Sequence, residues 1–225
     1  MTPPDLTPPD LTPPDLPPLV VAIDGPASAG KGTLARRLAA ALDLPHLDTG
    51  LLYRATGRRL LDAGADPADA AAAEQAALAL QPRDLARDDL RGPAADRAAS
   101  LVAAVPAVRA ALLAFQRRIA GQGAVLDGRD IGTVVWPQAP VKLFVTASAP
   151  ARARRRWLEL RAKGVETTVE QVEAEMRARD AQDSSRATAP LRPAEDAVLL
   201  DTTGLDADAA FARAMEIVRS RTGSA

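Results

Sequence analysis

The chain has 225 residues, 47% of them apolar and 25% charged, which suits one substantial domain with a real core. A net charge of −1 argues against a dedicated nucleic-acid binder, and the absence of cysteine removes disulfides, thiolate metal sites and cysteine nucleophiles. No apolar run approaches the ~20 residues that span a bilayer, and the acidic, Pro-rich N-terminus is no signal peptide, so a soluble cytoplasmic protein that engages neither membrane nor nucleic acid is expected.

Residues 2–16 are three copies of TPPDL, followed by Pro17 and Pro18. Two prolines in every five residues prevent a helix or a sheet interior. Residues 1–18 are therefore expected to form a disordered or polyproline-II-like tail. The fold begins at Leu19. The run LVVAI (19–23) ends in Asp24-Gly25-Pro26 and reads as a buried strand. A helix starts at Gly32, with Leu34, Leu38 and Leu42 on one face. Further strands are expected at 46–47, 124–127, 141–145 and 197–201. Helices are expected at about 50–63, 94–120, 150–162, 168–182 and 206–221. Short apolar strands alternating with helices indicate an α/β fold with a mostly parallel central sheet. Nothing divides 19–225 into independent domains.

Between the first strand and the first helix lies Gly25-Pro26-Ala27-Ser28-Ala29-Gly30-Lys31-Gly32-Thr33, with the G-x-x-x-x-G-K frame of a phosphate-binding loop. Glycines let backbone N–H groups turn inward around phosphate oxygens, and the helix N-terminus adds partial positive charge. Lys31 can reach between two phosphates. The usual motif follows its lysine with a hydroxyl that binds Mg²⁺. Here that place is Gly32, and Thr33 sits about 100° further round the helix. Thr33 is expected on a phosphate oxygen nearer the nucleoside. Magnesium, which keeps several waters, can be oriented by a carboxylate instead, and Asp127 at the end of AVLD is the candidate. The form GKGT is the one carried by nucleoside monophosphate kinases. No NKxD guanine-reading box is present.

Of the 28 basic residues, 25 are Arg and only Lys31, Lys142 and Lys163 are Lys. A single Arg is usually a solvated or ion-paired surface residue. Arg54, Arg109, Arg129, Arg179 and Arg186 are instead spread through loops and helix ends rather than massed in one charged run. Two nucleotides meeting phosphate to phosphate need positioning and charge neutralisation, and guanidinium forks supply both. The acceptor would be a monophosphate oxygen, whose second pKa of about 6 leaves it ionised at neutral pH. No general base is then required, and the lone histidine, His46, reads as structural.

Four stretches, AIDGPASAGKGT, LDTGLLYR (47–54), DGRDIGTVVWP (127–137) and RDAQDSSRATAPL (179–191), together resemble bacterial cytidylate kinase. The likeness runs in order from about Val20 to the C-terminus. It implies a P-loop α/β/α fold with about five parallel strands, an acceptor-binding region over about 50–115 and a mobile lid over about 150–187. It also implies ATP and Mg²⁺ as cofactors and phosphorylation of CMP and dCMP. By the same resemblance Ser100, Arg109 and Asp130 read the cytosine, Asp130 accepting from the N4 amino group. Arg54, Arg129 and Arg186 grip the acceptor phosphate, and Arg179 and Asp183 touch the sugar. Thr49 supplies a hydroxyl near the acceptor, with Tyr53 packed beside it. Arg155 and Arg156 match the paired arginines of the lid, and Thr202-Thr203-Gly204 flanks the ATP base. Lys31, Arg129, Arg186 and Asp127 form the catalytic set.

Two departures stand out. Residues 64–95 are Ala-rich, and shorter than the insert that folds as a small sheet in the long bacterial enzymes. Gln182 stands where some members have a basic residue. Two other readings stay open at this level: a nucleoside monophosphate kinase of other preference, such as UMP, and a non-catalytic nucleotide-binding regulator that docks through its TPPDL tail. A monomer is expected.

Overall fold

In the computed structural model, which describes residues 18–223, the first apolar run is strand β1 (Val20–Asp24), with all five residues buried. The TPPDL repeats lie outside the described residues. After the phosphate loop come α1 (Lys31–Leu42), β2 (His46–Asp48) and α2 (Thr49–Asp62). The Ala-rich stretch supplies α3 (Ala70–Leu78), α4 (Pro82–Leu85) and a 3₁₀ turn at Asp88–Leu90, and no strand. Then follow α5 (Pro93–Ala103), α6 (Pro106–Ala120), β3 (Ala124–Gly128), a π-helical turn at Ile131–Val135 and β4 (Val141–Thr146). The chain closes with α7 (Ala149–Ala162), α8 (Val169–Ser185), β5 (Val198–Asp201) and α9 (Ala207–Thr222).

The strands form one parallel sheet in the order β2-β3-β1-β4-β5. The central strand β1 feeds both sides of the sheet, because alternate residues face opposite ways. Val21 and Ile23 pack with Leu34 and Leu38 of α1 and with Ala214 and Val218 of α9. Val20 and Ala22 pack with Ala120 of α6 and with Ile131 and Val135 of the π turn. This is the three-layer architecture that the sequence predicts.

One expected helix is two. The stretch 94–120 bends by 98° between α5 and α6. Pro106 disfavours helical backbone at the residue before it, and Val105 is accordingly extended (φ −82°, ψ 115°). The corner sets Ser100 on α5 and Arg109 on α6. Helices α2, α3, α5 and α6 share a second core around Leu52, Leu60, Val102 and Val108. Pairs Arg59–Asp84 and Arg87–Asp62 tie the short insert to α2. Helices α7 and α8 enclose a small core of Ala153, Leu160, Val172 and Met176, with Trp157 against it. Thr168 and Gln171 form a capping box that starts α8.

Candidate active site

The register of the sheet brings three carboxylates to its carboxyl edge. Asp48 pairs with Asp127, and Asp24 pairs with Gly128. Ligands of open α/β sheets bind at this edge, where the chain switches from one side of the first strand to the other. Here β1 lies between β3 and β4, and the phosphate loop leaves its end. Gly25 is indispensable to that turn: a Cβ there would lie 1.9 Å from the carbonyl oxygen of Val145, at a φ of +144°. Gly30 (φ +94°) caps α1 from a left-handed conformation. Gly25, Pro26 and Ala29 are buried, whereas Ala27, Ser28, Gly30, Lys31, Gly32 and Thr33 line a cleft of about 770 Å³.

Lys31 donates to the carbonyl of Pro26 at 2.7 Å. Burial pulls its ammonium down to about 7, with Arg129 adding to the shift. Gly32 leaves room toward Asp127, whose Oδ2 would stand 3.8 Å from a Cβ at that position. The opposite oxygen of Asp127 accepts from His46 Nε2 at 2.7 Å. His46 is thus the partner of the candidate metal-orienting carboxylate, which accounts for a histidine beside an apolar strand. Thr33 is exposed at the cleft, and its Oγ1 accepts from Arg36 at 3.3 Å.

The opposite wall carries the residues expected from the sequence to face an acceptor. Thr49, Tyr53, Arg54, Ser100, Arg109, Asp127, Arg129, Asp130, Arg179, Asp183 and Arg186 all line the same cleft as Lys31. Arg109 donates to Asp130 in a buried pair, and its guanidinium lies 5.5 Å above the Tyr53 ring. Burial raises the Tyr53 hydroxyl above its ordinary range despite Arg109 nearby. Ser100 Oγ donates to the Asp96 carbonyl at 3.1 Å, and Thr49 Oγ1 to the Asp127 carbonyl at 2.8 Å. Asp183 is not a free acceptor: Arg129 donates to it at 2.9 Å, and Arg186 takes its other oxygen. Burial raises the Asp183 carboxyl, but Arg129, Arg186 and Arg179 outweigh that and hold it below its ordinary value. Burial lowers Arg179 to about 10, with Arg129 contributing.

Of the arginines early in α7, Arg155 and Arg156 line the cleft, Arg154 is exposed and Arg152 is buried. Arg155 donates to Thr202 Oγ1 at 3.0 Å and to the Thr202 carbonyl at 2.5 Å. Thr202 in turn reaches the carbonyl of Ala29 in the phosphate loop at 2.9 Å. Arg152 bridges the Ala27 carbonyl (3.2 Å) and Asp180 (2.7 Å). Helix α7 is therefore keyed to the phosphate loop through its own arginines.

Two site residues escape the sequence reading. Asp24 accepts from the N–H groups of Ile131 (2.7 Å) and Gly132 (2.8 Å), pinning the π turn that follows Asp130. Burial raises its carboxyl to about 6, against the pull of those two N–H groups. Its place at the strand end, just before the loop, is the signal that was available. Asp96 gathers Arg54, Arg156 and Arg179. Its three partners are remote in sequence, so no local pattern marks it.

Buried nitrogens of Arg54 (Nη1), Arg179 (Nε) and Arg186 (Nε) have no hydrogen-bond partner. Buried donors of this kind call for anionic oxygens. Among the described residues, no three His, Cys, Asp or Glu side chains cluster as a metal site. Asp127, which lines the cleft beside the loop with Asp48 next to it, fits an ion that arrives on the nucleotide's phosphates. No single helix among the described residues is long and apolar enough to cross a membrane.

Fold and cleft together define a P-loop phosphotransferase with a phosphate loop on one wall and a set of arginines on the other. A family model for cytidylate kinase matches residues 21–220. A cytidylate kinase of Granulibacter bethesdensis is 67% identical over 90% of this chain and 98% of its own length. One from Acidiphilium cryptum is 62% identical over 89% and 95%. A crystal structure of an uncharacterized protein from Eubacterium ventriosum has the same fold, with a TM-score of 0.50 and 12% identity over 91% of this chain and 98% of that one. The chain belongs to the cytidylate kinase family.

Proposed function

We propose that this protein transfers the γ-phosphoryl group of ATP to CMP and dCMP, giving CDP or dCDP and ADP. One observation carries the reading: a single cleft joins the phosphate loop at Lys31 to the buried Arg109–Asp130 pair. The first grips a triphosphate. The second presents a carboxylate beside a guanidinium, which suits the N4 amino group and the N3/O2 edge of cytosine. Uracil would set a carbonyl against Asp130, a costly mismatch.

ATP binds along Gly25–Thr33, with its base beside Thr202-Thr203-Gly204. Mg²⁺ would be held mainly by phosphates and water, with Asp127 orienting a water, and it would supply charge neutralisation between the two nucleotides. The monophosphate docks on Arg54, Arg129 and Arg186. Its sugar lies toward Arg179 and Asp183, and Ser100, Arg109 and Asp130 read its base, with Thr49 and Tyr53 behind. One ionised phosphate oxygen of CMP attacks the γ-phosphorus; the bond from that phosphorus to the ADP oxygen breaks. No proton needs removal, because the acceptor is already ionised. Catalysis is positioning and electrostatic stabilisation by Lys31, Arg129 and Arg186. Closure of the lid, with Arg155 and Arg156, excludes water that would otherwise hydrolyse ATP. The protein acts as a cytoplasmic monomer, since a closing lid and an acceptor arm need free surface.

The test is CDP formation from CMP and MgATP, with Lys31→Ala as the blank. CDP and ADP in equal amounts support the reading. ATP binding without CDP formation refutes it.

A further inference from the structure

Asp96 sits in the first turn of α5, on the acceptor arm. Its carboxylate collects one guanidinium from each of three other elements. Arg156 of α7 reaches Oδ2 at 2.6 Å, Arg54 of α2 reaches Oδ1 at 3.2 Å, and Arg179 of α8 stands 3.6 Å from Oδ1. Burial raises the carboxyl, but Arg179, Arg54 and Arg156 outweigh it and hold the group ionised, below its ordinary range. Arg156 also pairs with Glu159 at 2.9 Å and Arg54 stands 3.6 Å from Asp48, so Asp96 is the carboxylate that all three guanidiniums share. Even so, Arg54 Nη1 and Arg179 Nε are buried without a hydrogen-bond acceptor, so the cluster keeps donors to spare for an anion.

We propose that Asp96 is a positioning residue that stands in for nucleotide phosphate, gathering Arg54, Arg156 and Arg179 across the lid–arm boundary and yielding them when phosphate enters. This rests on the cleft being a phosphoryl-transfer site. Three guanidiniums cannot share a small volume without an anion, because like charges at low dielectric repel strongly. Asp96 holds the set together while the cleft lacks phosphate. It also opposes phosphate, since both anions draw on the same donors. The opposition keeps the product diphosphate from binding too tightly, and it ties lid position to the acceptor arm.

The competition is measurable without turnover. Inorganic pyrophosphate, titrated by calorimetry, is expected to bind Asp96→Asn about tenfold more tightly than the unaltered protein, within the range of ordinary coupling between two sites. Asp96→Glu, which restores the charge, is expected to return the weaker affinity. A purely structural Asp96 would give weaker or unchanged pyrophosphate binding in Asp96→Asn, and that result overturns the proposal. A second readout uses the unaltered chain: the carboxyl ¹³C resonance of Asp96 should titrate at higher pH with pyrophosphate present, as its guanidiniums move away. A titration that pyrophosphate leaves unmoved also overturns it. Neither measurement involves CMP, so failure here is separate from failure of the kinase reading.

Discussion

Arg109 and Asp130 close on each other as a buried ion pair, their side chains only 9% and 7% exposed. The two come from distant elements, α6 and the turn after β3, and meet because Pro106 bends the chain before α6 and Asp24 pins the turn after Asp130. A buried pair of this kind is a poor stabiliser, but removing one partner is costly. Asp130→Asn keeps an oxygen toward Arg109 while losing the charge. It should lower the melting temperature and cut the preference for CMP over UMP by about 10–100-fold, the worth of one good base contact. Parallel kcat/KM measurements on the two substrates, with a thermal melt, check both parts.

Lys31 links pH to nucleotide binding. Burial holds its ammonium at about 7, against an ordinary 10.5. Bound phosphate favours the charged form, so ATP binding near pH 8 should take up a proton. Calorimetry in two buffers of different ionisation enthalpy should show the difference, and Lys31→Met should abolish it. The stability consequence has a definite sign. Between about 7 and 10.5 the folded chain binds fewer protons at this group than the unfolded chain, so its contribution rises with pH in that window. Lys31→Met should flatten that slope and reduce kcat by at least ~10²-fold.

Asp127 and His46 should separate cleanly. Asp127→Asn removes the only carboxylate expected to orient the metal's water, so kcat should fall by about 10²-fold and the Mg²⁺ needed for half-maximal rate should rise. His46 donates to Asp127 from outside the cleft lining. His46→Gln keeps a donor and should cost no more than ~10-fold, as outer partners of metal-orienting groups do. Magnesium titrations of both variants compare the effects directly.

Gly57 lets α2 and α5 approach. A Cβ there would stand 2.7 Å from Ala98 Cβ and 3.0 Å from its carbonyl carbon. Gly57→Val should destabilise by about 1–3 kcal/mol, as overpacking does. It should also raise the KM for CMP, because α5 carries Asp96 and Ser100 on the cleft wall proposed to hold CMP. A denaturant titration and CMP kinetics test the two effects together.

Much of the fold was legible because its cues are local. Four of the five strands contain short apolar runs, and each long helix has a capping signal or an apolar stripe; β2 (His46–Asp48) carries a single apolar residue. The sequence predicts one helix over about 94–120 because Ala-rich sequence runs on through the break; Pro106 is the local sign of the corner. The π turn after Asp130 was unreadable: its geometry is imposed by Asp24, over a hundred residues earlier. Within the site, the loop is legible because its chemistry lies in consecutive residues. The arginines were identifiable, but their resting partners were not. Asp183 reads as a sugar contact, yet both its oxygens are engaged by Arg129 and Arg186. Asp96 becomes visible only when α2, α5, α7 and α8 are brought together.

The most direct test of base-reading phosphoryl transfer is ADP release from MgATP across CMP, dCMP, UMP, AMP and GMP, with Lys31→Ala as the blank. Turnover led by CMP and dCMP is the predicted result. Equal or greater turnover with UMP or AMP would contradict the role given to Asp130, and no turnover with any acceptor would contradict the kinase reading itself.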